Sequence, residues 1–513
     1  MARRLPLPLA VFFTFQGLFA CCASGRVDRV ADEFEVYLQV ESLWERGTLA
    51  IDQVPDAVFF GATGNDGHRY APYGPGAAFT ALGHHALGRA LVGALGLTRA
   101  RDPVAFTELL ALVTSLSTST WAALAVAGLF VCVRALGGSE RRALAVSGLL
   151  GLGSFLWPYG TCFYSEAVAA ACLLWATAWH LRGRPWFAAG ALCALALVKA
   201  THACMAAGLL GAALCLPSQR RCALGYAAAI GAAACVHAGY NWTRFGDAFD
   251  FGYRWTESGL FGLGAGGAPA QPRPFALARL PTGLLGLLLS PGKSLLLFAP
   301  GLALLADPAR WRAWRGARWV YILALGGLVV GLGFFGSYFF WEGGYAFGPR
   351  HLLPAAPLGL LPLARAPLRG YRVALGLGCA VALLGASTPF LEDQSLGEDR
   401  SREVYYWVDH DAAPGVPKNR YRLAYLPWGR AAARFASGLS ATEPEDGLTW
   451  LAPRLRALQA ATRGAYPAWV AFSLPAMAWV LLALGGSSIA CARPKSNLTP
   501  DPSDSGGAGG IVS

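Results

Sequence analysis

The residues best suited to chemistry in this chain are seven ionisable side chains that border or interrupt apolar stretches. They are Asp32, Glu33, Glu166, Lys199, His202, Arg350 and His351. A charged group at the edge of a membrane is costly and is usually kept for function. Cations can hold a phosphate, and a carboxylate can accept a proton from an attacking group. The set therefore suits the transfer of a group from a lipid phosphate.

Four of these residues also have a structural interpretation. Asp32 and Glu33 can supply negative charge to the N-terminus of a helix. Glu166 can do the same for a helix that begins near Ser165. Lys199 can extend its stem along a helix end toward water. Three further histidines are interpreted as interfacial or packing residues and not as ligands: His84, His85 and His237.

The composition indicates a polytopic membrane protein. Of 513 residues, 55% are apolar and 14% are charged, and the mean hydropathy is +0.42. Soluble proteins carry about 25% charged residues. The net charge of +12 lies in short basic clusters between apolar runs, as the positive-inside rule requires. This distribution argues against nucleic acid as a partner.

The twelve cysteines do not form a metal-binding pattern. No Cys-x-x-Cys pair and no His/Cys cluster with zinc spacing is present in the sequence. Most of the cysteines lie in or beside apolar runs and are interpreted as small packing residues. The stretch Leu18-Phe19-Ala20-Cys21 loosely resembles a lipoprotein cleavage site, but the topology requires this apolar run as the first span. We expect that segment to be retained.

About twelve transmembrane helices with both termini in the cytoplasm fit the charge pattern. The first span covers 5–23, and a span needs roughly 20 apolar residues. Later apolar runs lie at 105–134, 143–161, 163–181, 186–200, 202–216, 223–240, 280–305, 319–341, 352–365, 371–388 and 467–490. If 77–97 does not cross, every basic turn falls on the cytoplasmic side. The sequence thus predicts an all-α multi-pass protein of the inner (plasma) membrane.

The segments on the outer side collect the unusual residues. In the first outer loop, 24–103, an amphipathic helix with Phe34 and Trp44 on one stripe is expected to lie along the membrane surface. A helix-breaking stretch from Tyr70 to Gly76 precedes a second interfacial helix at 77–97. The region 389–466 is predicted to form an extracytoplasmic cap before the last helix, 467–491. The tail, 492–513, is predicted to be disordered.

In their order along the chain, several short motifs resemble the GT-C superfamily of polyprenyl-phosphate-dependent glycosyltransferases. The similarity is to bacterial relatives of protein O-mannosyltransferases and of aminoarabinose transferases, and it covers residues 1–390. The matching pieces are Asp32-Glu33, the stretch 66–76 (DGHRYAPYGPG), Tyr164-Ser165-Glu166, the stretch 198–202 (VKATH), 241–247 (NWTRFGD) with Gly252-Tyr253, 289–294 (LSPGKS) and 347–354 (FGPRHLLP).

The resemblance implies a fold, a reaction and site residues. The GT-C-like transmembrane module would span 1–388. In such enzymes an acidic residue of the first outer loop is the base, so Asp32, with Glu33 beside it, would be catalytic in an inverting transfer. Lys199, Arg350 or His351 would stabilise the departing polyprenyl phosphate. The same resemblance places a further group of residues in substrate binding: Tyr70, Tyr73, Glu166 and His202.

The sequence leaves several points open. Some members of the superfamily use a divalent metal and others do not, so no cofactor is assigned. The implied partners are the polyprenyl-phosphate-linked sugar, an extracytoplasmic acceptor (lipid, glycan or protein) and the bilayer. One alternative is a non-catalytic GT-C-like scaffold that uses 389–466 to bind. Another is a secondary transporter, although midplane charges and paired repeats are not evident.

Overall fold

The fold is a bundle of helices with one minimal β-hairpin. The computed structural model describes residues 5–53, 61–252, 274–343 and 346–388, together with scattered positions between 432 and 489. The two strands, β1 (Ala62–Thr63) and β2 (Arg69–Tyr70), pair antiparallel with Ala62 opposite Tyr70. The predicted cap at 389–466 and the tail lie almost wholly outside the described residues.

Fifteen α-helices are described. They are α1 (Leu7–Cys21), α2 (Ala31–Arg46), α3 (Pro75–Ala94), α4 (Pro103–Ala135), α5 (Glu140–Gly151), α6 (Leu156–Tyr159), α7 (Ser165–Leu181), α8 (Pro185–Val198), α9 (Ala207–Cys215), α10 (Arg220–Phe245), α11 (Leu280–Leu289), α12 (Leu295–Phe298), α13 (Pro308–Arg312), α14 (Arg318–Gly336) and α15 (Tyr371–Ser387). Short 3₁₀ helices cover Ala200–Ala206, Pro217–Gln219, Leu277–Arg279, Pro300–Ala306, Arg350–Leu352 and Ala356–Ala364.

Local sequence signals set many of the helix ends. Proline occupies the first turn of α3, α4 and α8, where its missing N–H is not needed. Gly47 and Gly246 end α2 and α10 in the left-handed conformation, with φ of 67° and 73°. The Ser139 side chain caps α5 by accepting a hydrogen bond from the backbone N–H of Arg142.

Helix α4 is the centre of the bundle. It packs against α1, α3, α5 and α7, and nearly all of its residues from Leu109 to Val133 are buried. Helix α10 lies at the periphery and exposes apolar side chains such as Leu224 and Val236. Exposed apolar surface on a long apolar helix is what lipid contact requires.

Three described helical segments are long and apolar enough to cross a membrane, namely Pro103–Ala135, Pro217–Phe245 and Arg318–Gly336. Further apolar helices of 10–17 residues include α1, α8, α11 and α15. The prediction of a multi-pass helical protein therefore has direct support in these segments. The count of twelve spans stays a prediction.

Several apolar runs that were expected to span are interrupted in the structure, among them 143–161, which is divided between α5 and α6. The run 280–305 consists of α11, α12 and a 3₁₀ helix, because Pro291 and Gly292 interrupt it. The run 352–365 contains the 3₁₀ helix Ala356–Ala364, with Pro362 inside it. Of the predicted last span, described residues such as Ala478 and Leu482 lie against Gly17 of α1.

Close backbone packing between α14 and its neighbours depends on glycine. A Cβ on Gly327 would overlap the carbonyl oxygen of Met205, whereas a Cβ on Gly333 would meet no atom within 4 Å. Small residues allow membrane helices to approach each other in this way.

We expect Gly327→Leu to destabilise the protein by about 1–3 kcal/mol, because overpacking forces the two segments apart. Thermal unfolding of purified protein in detergent measures the effect. Gly333→Leu, on the same helix, is the matched control and should unfold at the same temperature as the wild type. Equal unfolding temperatures for the two variants would contradict the packing described for α14.

Candidate active site

Helix α2 is fixed to the bundle through a buried carboxylate. Glu33 is fully buried, and the Arg29 guanidinium donates to both of its oxygens at 2.6 and 3.0 Å. The backbone N–H of Phe163, two residues before α7, donates to Oε1 of Glu33 at 2.7 Å. Burial raises the pKa of Glu33, while Arg29 and the Phe163 N–H oppose that shift. Glu33 therefore connects the start of α2 to the start of α7.

Asp32, the neighbour of Glu33, points to a different environment. Its carboxylate is 21% exposed, and its Oδ2 lies 3.6 Å from Nη1 of Arg350. The guanidinium of Arg350 is 8% exposed and lies over the ring of Tyr164 at 5.1 Å. Burial alone would lower the pKa of Arg350, but Asp32 and the other acidic groups around it raise that pKa well above its usual value. Arg350 is thus a fixed positive charge beside an accessible carboxylate.

A second ion pair lies in the same region. Glu166, in the first turn of α7, is fully buried, and its Oε1 accepts a hydrogen bond from Nζ of Lys199 at 2.8 Å. Lys199 follows the last residue of α8 in an extended conformation, and its side chain is 18% exposed. Lys199 and Arg350 each lie beside one carboxylate, and each has further N–H groups that can donate hydrogen bonds to an anion.

Two histidines complete the group. Ligand atoms of His202, His351 and Glu166 all lie within 4.8 Å of one another. The ring of His351 stacks on Phe335 at 4.6 Å, and His202 meets the same Phe335 edge-on at 5.9 Å. Burial, together with the charges of Arg350 and Lys199, holds the pKa of His351 well below its usual range. His351 is therefore a neutral imidazole at pH 7.

The structure thus brings together most of the residues predicted from the sequence. Asp32, Glu166, Lys199, His202, Arg350 and His351 are connected by the contacts given above. Tyr70 belongs to another set, since its hydroxyl donates to Asp66 at 2.7 Å and its ring faces Arg244 at 5.7 Å. Tyr73 packs against the same apolar clusters that Phe34 of α2 contacts.

Two further residues contribute to this region and had no role predicted from the sequence. Tyr164 supplies the ring beneath Arg350. Lys293 is fully buried and donates to the carbonyl oxygen of Ala346 at 2.5 Å, and its charge acts on His351. A single lysine inside the apolar run 280–305 was the available signal, the same one that singled out Lys199.

The group can bind an anion and take up a proton at adjacent positions. Arg350 Nε makes no hydrogen bond to the described residues, so the guanidinium keeps a donor for a ligand. Asp32 is accessible enough to contact a second bound group. A cationic pair beside a carboxylate base is the arrangement needed when a nucleophile displaces a phosphate.

Comparisons with known proteins identify two similar solved structures. No protein-family model matches the chain, and no curated protein sequence matches it. The chain is similar to the crystal structure of ArnT from Cupriavidus metallidurans in the apo state, at 14% identity and a TM-score of 0.43, over 94% of this chain and 76% of that one.

The same protein bound to undecaprenyl phosphate is similar at 14% identity with a TM-score of 0.40, over 94% of this chain and 77% of the other. At this level the likeness carries no conclusion about activity. The function proposed below rests on the residues of this chain.

We expect Arg29→Met to destabilise the protein by about 3–5 kcal/mol, because it leaves the charge of Glu33 buried without its partner. Unfolding by heat or denaturant in detergent gives the measurement. Arg26→Met is the matched control, since Arg26 pairs with Asp28 at 3.0 Å with both side chains a third or more exposed. Its cost should stay below about 1 kcal/mol. Similar losses for both variants would show that Glu33 does not hold α2.

Proposed function

We propose that the protein is a membrane glycosyltransferase that moves a sugar from a polyprenyl-phosphate donor to an acceptor on the extracytoplasmic side. The observation that carries the proposal is the Asp32–Arg350 pair beside Glu166–Lys199 at the start of α2 and α7. One partly exposed carboxylate and two cations in one group match the requirements of phosphate displacement. The motif resemblance to the GT-C superfamily agrees with this choice.

The reaction is an inverting displacement at the anomeric carbon. Asp32 removes a proton from the acceptor hydroxyl or amine as its oxygen or nitrogen attacks that carbon. The bond between the anomeric carbon and the phosphate oxygen breaks, and its electron pair leaves with the polyprenyl phosphate. Arg350 and Lys199, with His351 nearby, stabilise the charge that develops on the phosphate. The proton remains on Asp32 until solvent takes it.

The two carboxylates that were predicted to be catalytic have separate roles in this scheme. Asp32 meets the acceptor, whereas the hydrogen bonds of Glu33 to Arg29 and Phe163 fix the helix that carries Asp32. Tyr70 and Tyr73, on the segment that leads into α3, are proposed as further substrate contacts. The lipid chain of the donor is assigned to the apolar surface between the spans.

The arrangement of basic turns supports an extracytoplasmic site in the inner (plasma) membrane. Two turns that are predicted to face the cytoplasm contact each other through their arginines. Arg365 donates to the carbonyl oxygen of Leu136 at 2.9 Å, and Arg142 donates to the carbonyl oxygen of Ala364 at 3.3 Å. These turns follow the C-terminal ends of α4 and of the 3₁₀ helix Ala356–Ala364. The positive-inside rule then assigns cytoplasmic termini and an outer location for Asp32.

We expect Asp32→Asn to lower kcat by about 10²–10⁴-fold, because the amide cannot accept the acceptor's proton. The assay offers purified protein in liposomes a panel of polyprenyl-phosphate sugars and measures released polyprenyl phosphate. Asp28→Asn is the matched control, a more exposed carboxylate four residues earlier, and should keep wild-type turnover.

An Asp32→Asn protein that turns over normally would refute the assignment of the base. If the wild type releases polyprenyl phosphate from no donor, binding of the lipid donor to the same preparation becomes the deciding measurement. Failure to bind any polyprenyl-phosphate sugar would refute the proposed function. Binding without turnover in the presence of candidate acceptors would favour the scaffold alternative.

A further inference from the structure

We propose that Glu166, His202 and His351 form a binding site for one divalent transition-metal ion of the zinc class. The three side chains come from separate segments of the chain, at the start of α7 and in the 3₁₀ helices Ala200–Ala206 and Arg350–Leu352. Their ligand atoms lie within 4.8 Å of one another, and all three residues are buried. The site itself is inferred from this geometry, and its relevance to catalysis rests on the proposed function.

Unmet hydrogen-bonding capacity is the first reason to expect a ligand here. Within the described part of the chain, Oε2 of Glu166 and both ring nitrogens of His202 and of His351 make no hydrogen bond. Such buried polar atoms are rare in folded proteins, because each lost partner costs roughly 1–3 kcal/mol. One such atom from each of the three residues lies near a common point, which indicates an occupant that binds all three residues at once.

The chemistry of the converging atoms identifies the kind of occupant. A carboxylate oxygen only accepts, and each neutral imidazole presents a lone pair on one nitrogen. An anion between Glu166, His202 and His351 would face the carboxylate oxygen of Glu166, which cannot donate a hydrogen bond to it. An anion therefore does not fit this position. Two imidazole nitrogens and one carboxylate oxygen are a zinc ligand set that leaves a fourth position open.

The distances suit a site that contracts slightly around the ion. Ligands about 2.1 Å from one zinc ion lie about 3.4 Å apart in a tetrahedron, within the 4.8 Å bound of this group. The surroundings hold the ligands in place. Lys199 occupies Oε1 of Glu166 at 2.8 Å and leaves Oε2 for the ion. Phe335 contacts both imidazole rings and limits their rotation.

The charges around the site are balanced before an ion enters. Two cations, Lys199 and Arg350, are paired with two carboxylates, Glu166 and Asp32. A divalent ion then adds two positive charges that an anionic ligand at the open position can neutralise. When bound, the ion supplies a Lewis-acidic charge where the donor phosphate is proposed to lie.

Metal analysis of the full chain tests the site. Protein carrying no polyhistidine tag is treated with chelator in detergent, incubated with Zn²⁺ or Co²⁺ and passed through gel filtration, and metal per chain is measured by mass spectrometry. We expect about one ion per chain for the wild type, and at least a tenfold loss of affinity for His202→Ala and for His351→Ala. His180→Ala should bind like the wild type, since His180 is a buried histidine at the far end of α7 that already pairs with the Tyr226 hydroxyl at 2.9 Å.

The visible spectrum of the Co²⁺ form of the wild type gives a second readout that needs no variant. Four-coordinate nitrogen and oxygen ligation should give strong d–d bands without sulfur-to-cobalt charge transfer. A sulfur signature would assign the metal to cysteines and overturn the proposal. So would a wild type that holds no more Zn²⁺ than the His202→Ala, His351→Ala double variant, in which case water satisfies the buried atoms.

These outcomes are separable from the fate of the proposed function. Sugar transfer that persists in chelator, by a protein that takes up no Zn²⁺ once the chelator is removed, refutes the metal site and leaves the transferase standing. One ion per chain with no lipid-donor binding keeps the metal site and refutes the transferase.

Discussion

The cost of burying a carboxylate determines how the chain is arranged where α2 and α7 begin. An ionised carboxylate in the interior costs several kcal/mol unless an opposite charge and hydrogen bonds compensate it. Glu33 meets this condition through Arg29 and the Phe163 N–H, and in doing so it joins α2 to the chain just before α7. Glu166 meets it through Lys199, which joins α7 to the end of α8. The position of Asp32, the neighbour of Glu33 on α2, follows from the first of these connections.

The transmembrane bundle matters to the site because it fixes where these segments emerge. Helix α4 is buried among α1, α3, α5 and α7. Contact with this one helix therefore fixes both the position where the chain leaves α1 and the position where α7 begins. Glycines such as Gly327 let α14 approach the chain at Met205, and Phe335 on the same helix then contacts both His202 and His351. Close helix packing and histidine placement are therefore one structural feature.

The sequence predicted which ionisable residues lie close together better than it predicted the contacts that each of them makes. Asp32, Glu166, Lys199, His202, Arg350 and His351 were recognisable because a charge or imidazole beside an apolar run is costly and rarely incidental. The distinction between Asp32 and Glu33 was not predictable, since it depends on which carboxylate faces Phe163, 130 residues further along the chain. The interruption of the run 280–305 was visible in Pro291 and Gly292, yet hydropathy averaged over a window hides such breaks.

Donors and acceptors are segregated within the group, and this segregation has a physical consequence. Arg350 and Lys199 present N–H donors, whereas Glu166 Oε2 and the imidazoles of His202 and His351 present lone pairs to a common point. A phosphate alone would satisfy the donors and leave the acceptors unmet, and a cation alone would leave the donors unmet. An anion and a cation side by side satisfy both sets. The arrangement is thus better explained by two adjacent ligands of opposite charge than by either one.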